Sequence, residues 1–428
     1  MKNITVSHLD NGITIVSEFI PYVKSFSIGF WFNIGSRDEN LVNNGIAHFI
    51  EHMVFKGTKK RSSKKISEEI ESCGGYLNAF TSKEHTCFYG RGLAQHFEKT
   101  FDVLSDMVQN PMFKQEHIDK ESGVILDELR DIDDNPEELV FDEFEKHLFE
   151  NNGLGLPIIG NEKNVLSFNS ASIKNYYKKK YFNSLTIVCS GAIKHSEVLQ
   201  LAEKYLPKVY QPEKSDRNSS AENIVKHSKL EKDFQQVHVI LGRKAYGYKE
   251  KERIPFNLLS NVLGEGSSSR LFQAIREKLG ITYQINTFIN SYYDISTFGV
   301  YFSTGEKQTE KVLSILSKEF KKLQSTKVSE KELNRVKEYL KGSMLLSLEN
   351  TTNRMIRIAN SLLYFDRIIP VEEIIADVEK VAPEEIHHLA KKMLNEEDFS
   401  KIEIRSKKDK PFTPPSGDGG LKKGLPYA

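Results

Sequence analysis

Cysteine is scarce in this chain: three residues in 428, at Cys73, Cys87 and Cys189. An odd count with no C-x-x-C spacing excludes a disulfide framework and a cysteine-built zinc site, and it suits reduced thiols in an intracellular protein. Long hydrophobic runs are missing as well. No stretch of roughly 18 apolar residues occurs, which excludes a membrane-spanning helix. The N-terminus has one early lysine and no continuous apolar segment, so it does not read as a secretory signal. It also lacks the arginine-rich, acid-poor character of a transit peptide. A cytoplasmic location is the expectation. Charge of one sign is absent too. Sixty Lys and Arg stand against 59 Asp and Glu, a formal net charge of +1. Nothing global draws the chain to nucleic acid or to a membrane surface, so any charge-based recognition is local. Gly264-Glu265-Gly266-Ser267 lacks both the Walker lysine and a G-x-G-x-x-G, and reads as a loop on the substrate side.

The length exceeds one ordinary domain and fits two of about 200 residues. Ile4–Leu9 and Ile13–Ser17 flank Asp10-Asn11-Gly12, a strong hairpin signal. A strand at Ser25–Ile34 follows. Asn43-Asn44-Gly45 then offers an N-cap for a helix running to about Phe55. Next come a helix at Lys64–Ser72, strands at Tyr76–Thr81 and Thr86–Gly92, and helices at Gln95–Gln109 and Gln115–Arg130. The acid-crowded segment Asp131–Glu150 reads either as a solvated helix or as a negative wall for basic peptides. A polar stretch around Pro207–Ser228 has linker composition. Beyond it the same order of elements returns with a period of roughly 205–215 residues. The expected organisation is a first domain over 1–210, a linker over 211–228, a second domain over 229–406 and a loose tail over 407–428. The fold class is α+β, two homologous domains, each a mainly antiparallel sheet with helices packed on one face.

His48-Phe49-Ile50-Glu51-His52 reads H-x-x-E-H, the inverted zinc-peptidase motif. On a helix, positions i and i+4 share a face, so two imidazoles can grip one Zn²⁺ with a carboxylate beside them. This composition yields the pattern by accident about 0.05 times per chain, so further ligands must support it. Glu121, Val124, Ile125 and Glu128 recur at helical spacing, which puts two carboxylates on a partly apolar face. Either could complete the metal site, and a solvated face is the plain alternative. The second half carries no such motif. Asn257, Ser260 and Asn261 stand opposite His48, Glu51 and His52, and Ser343 stands opposite Glu128.

With Glu128 standing 76 positions after His52, the chain resembles the pitrilysin-type inverzincin peptidases, closest to the processing-peptidase branch. Three stretches carry the resemblance besides the motif: Gly45–Thr58, Gly74–Thr86 and Gly266–Tyr283. It covers roughly residues 4–405. It implies a zinc endopeptidase in which two such chains enclose a chamber that admits short or unfolded peptides. A homodimer, or a heterodimer with a degenerate homologue, is therefore expected. It assigns His48, His52 and Glu128 to one zinc ion, Glu51 to the general base and Glu121 to a supporting acid beside the ligands. Asn78, Ala79 and Phe80 match a strand that pairs with the substrate backbone. Arg276 and Tyr283 match a pair reaching from the second half toward the substrate carbonyl. Read without the family, Arg276 pairs with a nearby acid and Tyr283 is a half-buried strand aromatic. The rival to an active enzyme is a non-catalytic subunit of a peptidase complex, but every catalytic position is filled.

Overall fold

The computed structural model describes residues 3–182, 184–208, 217, 219 and 224–406. The expected tail and most of the expected linker lie outside the described residues. The first half runs β1 (Ile4–His8), β2 (Thr14–Phe19), β3 (Ser25–Phe32), α1 (Ile46–Val54), α2 (Ser63–Glu71), β4 (Tyr76–Thr81), β5 (Thr86–Leu93) and α3 (Phe97–Gln109). It continues with α4 (Gln115–Asp134), α5 (Pro136–Leu148), α6 (Glu162–Ser167), α7 (Ser170–Lys180), β6 (Thr186–Gly191) and α8 (His195–Tyr205). The second half runs β7 (His227–Lys232), β8 (Val237–Tyr246), α9 (Arg253–Gly264), a π-helical turn (Phe272–Glu277), β9 (Thr282–Ser291) and β10 (Ile295–Thr304). Then come α10 (Thr309–Ser325), α11 (Glu330–Ser347), α12 (Thr351–Phe365), α13 (Val371–Lys380), α14 (Pro383–Met393) and β11 (Ser400–Ser406).

Each half builds one sheet. The orders are β1-β2-β6-β3-β5-β4 and β7-β11-β8-β10-β9. One parallel pair occurs in each, β2–β6 and β7–β11, and every other pair is antiparallel. β4 and β9 occupy equivalent edges. The period-2 alternation sorts β3 cleanly. Phe26, Ile28, Phe30 and Phe32 point into the helices of their own half, whereas Trp31 points to the opposite face with Val16, Cys87 and Val188.

The opposite face of each sheet is covered by a helix of the other half. Met355, Ile358 and Ala359 of α12, from the second half, cover that of the first sheet. The exchange is reciprocal. Leu139, Val140, Phe144 and Leu148 of α5, from the first half, bury against Ile240, Phe288, Tyr301 and Ile402 of the second sheet. Segment 131–150 is therefore not a solvated helix: its apolar stripe holds the second half, and its acids occupy what remains. Phe144 lies so close to the β8 backbone that a Cβ on Gly242 would meet its ring at 2.5 Å.

Buried polar groups also join the halves. Arg37 pairs with Glu84 at 2.6 Å and with Asp294 at 2.8 Å. Glu18 takes a bidentate bond from Arg354. Breaking one side of such a pair strands a buried charge, so these contacts fix how the halves meet more than they add net stability.

The cap of α1 falls on the glycine of the expected Asn43-Asn44-Gly45. Neither Asn43 nor Asn44 caps the helix through its side chain. Gly45 is the N-cap at φ 96, and the Glu39 carboxylate accepts from the Gly45 and Ala47 N–H groups at 2.7 and 2.8 Å. A Cβ at Gly45 would lie 2.7 Å from the Ile159 carbonyl, so glycine is required there.

Candidate metal centre

Helix α1 packs Phe49, Ile50 and Met53 into the core and turns His48, Glu51 and His52 toward β4 and α4. The imidazole centroids of His48 and His52 stand 4.6 Å apart. Helix α4 brings Glu128 between them, its carboxylate oxygens 3.7 Å from each Nε2. Ligand atoms of His48, His52 and Glu128 all lie within 4.8 Å of one another. Two donors at tetrahedral zinc sit about 3.4 Å from each other, so the spacing matches that of a three-ligand site.

The electrostatics suit a cation. Burial, helped by the neighbouring His52, pushes His48 down to about 3, which keeps its ring neutral and ready to ligate. Its Nδ1 is buried with no hydrogen-bond partner among the described residues. His52 behaves oppositely. Burial opposes its protonation, but the Glu121 hydrogen bond and the fields of Glu128 and Glu51 raise it overall. The His52 Nδ1–H donates to the Glu121 carboxylate at 2.9 Å, which turns Nε2 toward Glu128. Lys56 holds the second Glu121 oxygen at 2.6 Å. Glu121 thus orients the His52 ring and stands outside the His48, His52 and Glu128 cluster, the arrangement expected of an acid one layer out.

Glu51 lies three residues after His48 and next to His52 on α1, its carboxylate bonded to Thr81 of β4. Burial raises its proton affinity above the usual carboxylate range, against the Thr81 hydrogen bond and the field of His52. Thr81 ends β4, the edge strand beside α1. On that strand Asn78 is exposed, Ala79 is buried, and Phe80 packs edge-on against Trp31 at 5.5 Å. Strand β5 covers one side of β4, and the other side has no strand partner among the described residues.

Arg276 and Tyr283 meet each other in the second half. The guanidinium lies 5.0 Å from the Tyr283 ring centre and 4.8 Å from that of Phe272. Tyr283 is 54% exposed, and Arg276 makes no ion pair among the described residues. Neither is bonded to the three ligands. The neighbouring Gln284 reaches Glu137 at the start of α5 at 2.9 Å, so β9 opens on the same side as the end of α4. His85 is buried against Tyr364 and stands apart from the three residues.

Three residues escaped the sequence reading: Glu39, Lys56 and Thr81. Lys56 alone carried a signal, lying four positions after His52. The other two act across turns, where spacing gives no hint.

The chain is similar to known proteins over most of its length. Residues 14–162 match the family described as Insulinase (Peptidase family M16), and residues 167–340 match Peptidase M16 inactive domain. A protein of Rickettsia bellii, called an uncharacterized zinc protease, is 35% identical over 92% of this chain and 96% of its own. A Bacillus subtilis protein of the same description is 33% identical over 90% and 95%. Among solved structures, a peptidase M16 inactive domain from Pseudomonas fluorescens shares the fold with a TM-score of 0.88 at 18% identity, covering 96% of this chain and 100% of that one. A protease from Helicobacter pylori gives 0.86 at 19%, covering 94% and 99%. The chain belongs to peptidase family M16.

Proposed function

We propose that the chain is a zinc-dependent endopeptidase acting on short or unfolded peptides. The observation that carries this reading is the convergence of His48, His52 and Glu128 with Glu51 beside an open sheet edge. A zinc ion held by those three residues supplies Lewis acidity for the scissile carbonyl and for a water. Glu51 takes the proton of the attacking water and delivers it to the leaving amine, and its raised proton affinity suits both steps. The free edge of β4, at Asn78–Phe80, pairs with the peptide backbone and sets the scissile bond in register. Arg276 and Tyr283 donate to the carbonyl oxygen once the second half or a second chain closes over it.

Two chains forming a chamber is the assembly this reading expects, as a homodimer or with a degenerate homologue. The acids of segment 131–150 favour basic peptides. Asp133, Asp142, Glu143 and Glu150, with Lys146 and Lys226 among them, line a cavity of about 740 Å³ beside Leu129, the residue after Glu128. Cleavage of lysine-rich peptides should fall with added salt more steeply than cleavage of neutral ones.

Zinc quantification with a quenched-peptide assay and solution mass tests the whole. Wild type should bind one zinc per chain and cut. Glu51→Gln should keep the zinc and lose turnover. Undiminished cleavage by that variant removes Glu51 from the role, and a wild type without zinc or activity supports a structural subunit instead.

A further inference from the structure

The second half keeps a cavity where the first half keeps its metal ligands. It lies between α9, β9 and α11, the counterparts of α1, β4 and α4, and holds about 230 Å³. Asn257, Ser260, Asn261 and Ser343, opposite His48, Glu51, His52 and Glu128, all line it. Neutral amides and hydroxyls do not hold a divalent transition metal as two imidazoles and a carboxylate do. The metal chemistry is gone and the room remains.

Two opposite charges line this cavity without an ion-pair partner among the described residues. Arg253 opens α9, its guanidinium 5.8 Å from the Tyr248 ring centre and 5.4 Å from that of Phe365. Asp377 acts on it only through space. Glu265 caps the other end of α9, and burial is the one influence on its carboxylate. Burial lowers the proton affinity of Arg253 and raises that of Glu265, so each charge is held at a cost its surroundings do not offset. The helix dipole runs in the same sense, positive at Arg253 and negative at Glu265. Along the axis their Cα atoms are about 18 Å apart, and both side chains line the cavity, taking up part of that span. An extended peptide adds roughly 3.3–3.6 Å per residue, so about two to four residues bridge the remainder.

We propose that this cavity binds the zwitterion of a short free peptide. Its C-terminal carboxylate meets Arg253, its N-terminal ammonium meets Glu265, and the asparagine and serine side chains meet its backbone. The site goes beyond the peptidase reading and does not depend on it, since a peptide bound there need not be cut.

Calorimetry with Ala-Ala-Ala on the zinc-stripped full-length chain tests this, because stripping stops hydrolysis and removes metal-side capture of the carboxylate. The free tripeptide should bind one site per chain. Ala-Ala-Ala amide and N-acetyl-Ala-Ala-Ala should each bind at least about tenfold more weakly, having lost one charge-assisted contact. Arg253→Met should erase the difference between acid and amide, and Glu265→Gln the difference between amine and acetyl. Equal affinity for all three peptides overturns the proposal, as does no binding up to about 10 mM. Binding that both variants leave unchanged overturns it too, because it then lies elsewhere. The modified peptides decide the matter even where a protein variant does not fold.

Discussion

Thr81 donates a 2.6 Å hydrogen bond to the Glu51 carboxylate. It joins the last residue of the edge strand to the base on the metal helix, two elements separated by 30 positions. The strand expected to receive substrate therefore also fixes the group expected to move the proton. Thr81→Val should keep zinc and lower kcat/KM by about tenfold or more, since a misaligned base loses much of its advantage. Thr81→Ser should restore most of it. Equal kinetics for all three would separate the hydroxyl from catalysis.

Glu121 should matter to metal affinity more than to chemistry. Glu121→Gln still accepts from His52 but removes a charge and the Lys56 ion pair. Loss of such an orienting partner costs about 10–100-fold in affinity. Glu128→Gln should lose more. Competition with a chelator, read by zinc content, ranks the two variants. The reverse order would exchange their roles.

The reciprocal helix exchange should make the halves unfold together. Phe144 of α5 is fully buried against the second sheet, and truncating it to alanine should cost about 3–5 kcal/mol. The single tryptophan, Trp31, lies under α12 in the other exchanged contact. Phe144→Ala should therefore move the Trp31 fluorescence transition and the circular-dichroism transition by the same amount in denaturant. A tryptophan transition that stays in place would show that the halves unfold independently.

Acid should weaken the second half through His238. Burial holds this ring down to about 4, with Nδ1 bonded to the Tyr301 hydroxyl at 2.8 Å. An unfolded histidine takes its proton at about 6.5, so between those values the unfolded state binds more protons. Stability is fully present above about 6.5 and is lost as pH falls through about 4, by at most about 3 kcal/mol from this residue. His238→Gln should flatten that part of the urea-unfolding profile. An unchanged slope would place the acid sensitivity in other groups.

The chain's own spacing determined a great deal. The i, i+4 separation of His48 and His52, with Glu51 between, is a local property of α1. The period-2 pattern of β3 and the Asn-Gly turn before β2 are equally local, and the repeat of element order announced two like sheets. Packing decided the rest. The stripe of α5 shows that one face is apolar, but not that it belongs on the other half's sheet. Helix α12, its counterpart, was missed altogether. Glu39 caps α1 from beyond a loop, and Thr81 reaches Glu51 across a turn. Glu121 and Glu128 share a helix, and spacing alone left them equivalent. The tertiary fold separated them, placing Glu128 between two Nε2 atoms and Glu121 against one Nδ1. Periodicity encodes which face of an element is apolar or polar, whereas the surface that face meets depends on contacts between residues far apart in the chain.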